Sequence, residues 1–127
     1  MADVVTLQLP RDRDFRAVAH LVLGGFATRL DLTYDVLDDI QTAVDELLER
    51  HDAAVDVTLS LRRDAGAVHA TVGPFTDSVI DDLRAEGDPG LGLRRVLETV
   101  VDSLSVEERD GGQWVELTKL VPRGDGA

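Results

Sequence analysis

The sequence contains no cysteine, which excludes a disulfide framework and any thiolate metal site. Aromatic residues make up only 4% of it, with one tryptophan and one tyrosine. The interior of the folded chain therefore has to be built from Val, Leu, Ile and Ala. No apolar run approaches the ~20 residues that span a bilayer. The first residues lack a charged stretch followed by an apolar one, the mark of a secretory signal. Cytoplasmic residence without membrane contact is the expectation. Cations are scarce as well: 13 Lys and Arg against 25 Asp and Glu leave a formal net charge of −12. Phosphate binding needs clustered Lys and Arg, so nucleic acid is not expected as a direct partner. A partner with a basic surface is, although solubility alone would also account for the acid.

What is present is one domain's worth of chain: 127 residues, 43% apolar. A single domain over 1–121 is expected, followed by a polar, frayed tail over 122–127. Val4 to Leu9 read as a strand that Pro10 interrupts. Asp12 or Asp14 can cap the helix that follows, with Phe15, Val18, Ala19, Val22 and Phe26 on its core face. Gly24 and Gly25 weaken that helix and suggest close packing against another backbone. Asp31 or Thr33 can cap a second helix, Tyr34 to Arg50. Its buried stripe is Leu37, Ile40, Val44, Leu47 and Leu48, and its other side is acidic.

A hairpin follows. Val55, Val57, Leu59 and Leu61 alternate with polar residues, Asp64-Ala65-Gly66 turns, and Val68, Ala70 and Val72 return until Gly73-Pro74 ends the strand. A short helical pattern covers Val79 to Ala85, and Leu91 to Val101 mark a third main helix. Ser105–Arg109 and Trp114–Val121 form a second hairpin across Asp110-Gly111-Gly112. Strands in adjacent hairpins predict an α/β (α+β) fold: a two-layer sandwich, mostly antiparallel sheet with helices on one face.

Three runs in this order resemble the bacterial anti-sigma-factor serine kinases, of the GHKL (histidine-kinase-like, Bergerat) ATPase superfamily. Leu37 to Glu46 is similar to their N-box helix. Gly90-Leu91-Gly92-Leu93 looks like their second glycine box, and Asp110 to Lys119 resembles their closing hairpin. The resemblance spans about 4–121. It implies a pocket for ATP, with Glu46 at the place of the catalytic base that takes a proton from an attacking hydroxyl. It puts Arg50 where the family has a magnesium-ligating asparagine. A guanidinium has no acceptor atom, so no metal site is expected. The first glycine box matches Thr71-Val72-Gly73-Pro74-Phe75, with Thr71 replacing an adenine-binding aspartate. Gly90, Leu91, Gly92 and Leu93 would form the phosphate cradle at a helix start.

His20, His51 and His69 have no ligand spacing. Trp114 reads as core or interface packing. Two functions follow from the resemblance. One is a regulator that binds a sigma factor, a STAS-type anti-anti-sigma protein, or both, as a homodimer, with ATP binding weak or lost. The other is an active serine kinase that phosphorylates the anti-anti-sigma partner. A regulatory domain with other partners is a third.

Overall fold

The computed structural model describes residues 3–9, 15–49, 56–64, 66–84, 93–109 and 111–121. The elements run β1 (Asp3–Leu9), α1 (Phe15–Arg29), α2 (Tyr34–Glu49), β2 (Val57–Asp64), β3 (Ala67–Phe75), α3 (Asp77–Arg84), α4 (Leu93–Val100), β4 (Ser103–Arg109) and β5 (Gly112–Leu120). The five strands form one antiparallel sheet in the order β1-β2-β3-β5-β4. This is the expected α+β architecture, with an arrangement consistent with a GHKL-like fold. Among the described residues, no helix is long and apolar enough to cross a membrane.

Strand pleating sorts the side chains onto two faces. One cross-strand row joins Leu7, Leu59, Val72, Val115 and Val106, and the next joins Val5, Leu61, Ala70, Leu117 and Leu104. These rows face the helices and pack against Leu23, Phe26, Ile40, Val44, Leu47 and Leu97 in one core. The alternate rows turn away. Thr6, Ser60, Thr71, Glu116 and Ser105 share one; Val4, Arg62, His69, Thr118 and Ser103 share another.

The helix ends follow from their own residues. α1 closes with Asp31 in the left-handed region (φ 57°). Leu32 N–H donates to Ala27 O (2.9 Å) and Asp31 N–H to Thr28 O (3.3 Å), a Schellman closure. Arg63 Nη1 from β2 adds a bond to Leu30 O (2.8 Å). Asp31 thus ends α1, and Thr33 caps α2 by accepting the Val36 N–H at Oγ1 (3.3 Å). Thr76 does the same for α3 through the Val79 N–H (3.4 Å).

Several sequence expectations differ from what is found. Val18, expected in the core, is 44% exposed; the buried stripe of α1 is Ala19, Leu23, Phe26 and Ala27, rotated toward Leu23. A Cβ added to Gly24 or Gly25 would meet nothing within 4 Å, so this pair packs against no other backbone of the described chain. β3 does not stop at Gly73-Pro74. It continues to Phe75, which pairs with Gln113 after an irregularity beyond Val72. The bulge accommodates a proline that has no N–H for the ladder. Pro10, Asp12, Asp14, Val55, Ala65, Asp110 and the tail over 122–127 lie outside the described residues.

Candidate functional site

The resemblance centres on α2, so the site is built outward from that helix. Its side chains at Val36, Ile40, Ala43, Val44, Leu47 and Leu48 are buried. At 100° per residue, Asp39 and Glu46 (seven positions apart) fall on one flank of this stripe and Asp45 on the other. The neighbours bear this out. Asp39 Oδ2 meets Lys119 Nζ of β5 at 2.8 Å, whereas Asp45 Oδ1 accepts a bond from His20 Nε2 of α1 at 2.7 Å. α2 also packs against α4. Glu46, half-buried, therefore lies on the β5 and α4 side of the helix.

α4 packs against the same helix, and the Glu46 carboxylate on this flank is half-buried. Leu93 opens α4. Gly90, Leu91 and Gly92, immediately before it in sequence, and Arg50, four positions after Glu46, lie outside the described residues. Among the described residues, no group of three or more His, Asp or Glu side chains is placed to hold a metal.

The strand end matched to the first glycine box sits differently. Thr71 and Gly73 belong to the pleat of β3 that turns away from the helices, and Val72, fully buried, is the one that faces them. Thr71 is only 7% exposed, but its row is Ser60 on one side and Glu116 on the other. Gly73 lies under Trp114: a Cβ there would come within 2.6 Å of the indole Cδ2. Trp114 in turn carries the Arg109 guanidinium 5.6 Å from its ring centroid. The need for glycine at position 73 is thus met by packing on the outer face. The structure does not bring Thr71 and Gly73 together with Glu46. The clue was in the sequence, because assigning Val68, Ala70 and Val72 to the core sends 71 and 73 outward. The Asp39–Lys119 pair, on the Glu46 flank, was missed; its signal was Asp39 two turns before Glu46.

The outer face has its own polar cluster. His69 Nε2 donates to Asp64 Oδ2 (2.8 Å), which leaves Nδ1 to accept the Thr118 hydroxyl (3.1 Å). The bond from His69 holds the Asp64 carboxyl below its ordinary value, helped by the Gly66 N–H. Glu107 is lowered likewise by its bonds from Arg109.

A five-stranded antiparallel sheet covered on one side by helices, with a carboxylate on the flank of the second helix, is consistent with a GHKL-like fold. Known proteins make this more specific. The chain is 26% identical over 142 aligned positions to the "Serine-protein kinase RsbW" of Bacillus velezensis, covering 94% of this chain and 86% of that protein. The protein of the same name from Bacillus subtilis is 27% identical, with 94% and 87% covered. That of Halalkalibacterium halodurans is 28% identical, with 97% and 86% covered. The chain is a homologue of the RsbW serine-protein kinases, in line with the family its motifs resemble. No protein-family model matches it.

Proposed function

We propose that the protein is a cytoplasmic anti-sigma-type regulator. It binds a sigma factor and competes that partner against a STAS-type anti-anti-sigma protein, as a homodimer, with ATP binding weak or lost. The observation that carries the second half is the placement of β3. The side chain it turns toward the helices at the matched position is Val72, which has no hydrogen-bonding group, while Thr71 and Gly73 face the other way. An adenine amino group would find no acceptor side chain there. Arg50, in the sequence position of a magnesium ligand, supports the same reading.

The charge of the chain supports the partner. Sigma factors present basic surface to promoter DNA, and a domain of formal charge −12 complements it. Acidic side chains Asp35, Asp38 and Glu49 are exposed on α2, the outer helical layer. The test is titration of the purified chain with each sigma factor of its own genome, followed by calorimetry at two salt concentrations. Binding that weakens as salt rises is expected; no binding to any of them contradicts the proposal.

A second reading is favoured by the name of the relatives and by Glu46 on the α4 flank of its helix: an active kinase that phosphorylates a serine of the STAS partner, with Glu46 as base. In it ATP supplies the phosphoryl group, and Glu46 would hold the proton released by the serine hydroxyl. Transfer of radiolabelled phosphate to the partner, abolished in Glu46→Gln, would establish it.

A further inference from the structure

We propose that Lys119 is a site of covalent acylation, and that the modification unties β5 from α2. The proposal goes beyond the functional reading above and does not depend on it.

Composition singles out this side chain. The 13 basic side chains of the sequence are 12 arginines and one lysine, Lys119. A guanidinium stays charged and offers no lone pair, whereas a primary amine that gives up a proton becomes a nucleophile. Lys119 is therefore the one side-chain amine in the sequence. An arginine would serve an ion pair at least as well, because its fork can bond both oxygens of a carboxylate. Pairing alone does not explain the exception.

Its place in the fold gives the amine leverage. Lys119 stands opposite Val68, on the pleat of β5 that turns Val115 and Leu117 into the core. A lysine is tolerated on such a pleat because its stem is apolar and its head can reach polar company. Here the head meets Asp39 Oδ2 of α2 at 2.8 Å. The two side chains are 20% and 33% exposed, open enough for a small reagent and covered enough that a carboxylate stripped of its cation loses stability. The pair joins the helical layer to the sheet, and α2 is also the helix that carries Glu46.

The acyl donor is an acyl phosphate. Asp39 Oδ2 takes one proton from the ammonium, which frees the Nζ lone pair. A bond forms from Nζ to the carbonyl carbon, and the bond from that carbon to the phosphate oxygen breaks with its electron pair on phosphate. The second proton lost from Nζ leaves with the phosphate, and Asp39 returns its own to water. The product is a neutral amide. It cannot pair with Asp39 as a cation, and the chain, already at a formal −12, becomes more negative by one charge.

The experiment incubates the full chain with acetyl phosphate. Peptide mass spectrometry locates the acetyl groups, and melting temperature and hydrogen exchange of α2 are measured before and after. Lys119→Arg keeps the cation without the amine, so it reports the N-terminal amine alone. Lys119→Gln carries a neutral amide like that of the product. An acetyl group on residue 119 of the folded wild type is expected, with a melting temperature lowered by about 2–4 °C and faster exchange along α2. Treated Lys119→Arg should keep both properties, and untreated Lys119→Gln should melt with the acetylated wild type. The wild-type measurements stand whether or not either variant folds. A residue 119 left unmodified while the N-terminal amine reacts overturns the proposal. So does acetylation that leaves melting and α2 exchange unchanged, or treatment that lowers the melting of Lys119→Arg as far as that of the wild type.

Discussion

Single residues decide how the end of β3 packs. Gly73 is the clearest case, since its missing side chain is where Trp114 rests, 2.6 Å from the place of a Cβ. Gly73→Ala should force the indole outward and lower the stability by about 1–3 kcal/mol, as overpacking does. Urea unfolding with Trp114 fluorescence measures it. An unchanged midpoint would mean that the glycine is there for something other than packing. Asp64 makes a pH-dependent contribution. His69 holds its folded pKa below the ordinary value, so the unfolded chain binds that proton more readily. The pair therefore stabilises the fold above the unfolded value of about 3.9 and loses that contribution as pH falls through the lower folded value. Asp64→Asn is expected to melt below the wild type near neutral pH, and the gap should close as pH falls through the lowered folded value of the carboxyl. A gap that persists in acid would assign the effect to something other than the carboxylate's charge.

At the scale of elements, the sequence was read well where one face of an element is plainly apolar. Alternating residues marked β2 and β3, and α2 carried a single buried stripe, so both hairpins and the second helix stand where they were expected. Reading failed where apolarity has no direction. α1 has apolar residues all round, and nothing in its composition told Val18, on the outside, from Leu23, in the core. The strand end was misjudged for a related reason: Gly73-Pro74 is ordinary turn chemistry, and only the resumed pairing of Phe75 with Gln113 shows that β3 continues. For the site, Glu46 could be placed from helix periodicity alone, whereas the facing of Thr71 depended on trusting the pleat over a motif match. The glycine pair of α1 yields a prediction at this scale. Gly25 is exposed inside a helix, with room for a methyl group. Gly25→Ala should raise stability by about 0.5–1 kcal/mol, read as a higher denaturation midpoint. A loss would show that a close neighbour approaches there.

The whole molecule has two unlike sides: an acidic helical layer carrying Glu46, and a near-neutral outer sheet face with His69, Thr71 and Trp114. Core burial joins them, and Leu97 of α4, fully buried, is one of the residues that ties the two layers. Leu97→Ala should cost about 2–5 kcal/mol, enough to separate effects on fold from effects on partners in any binding assay. What matters for function is whether the chain binds a nucleotide. A ligand that binds only the native state raises the melting temperature by an amount set by its concentration over its dissociation constant. The most direct measurement is therefore the melting temperature of the intact chain as ATP with magnesium is raised to millimolar concentration. No shift, or a shift of a degree or less, is the expected result. A rise of several degrees that saturates with ATP, and that is lost when Glu46 or Gly90 is substituted, would contradict the proposal of a regulator that has lost its nucleotide.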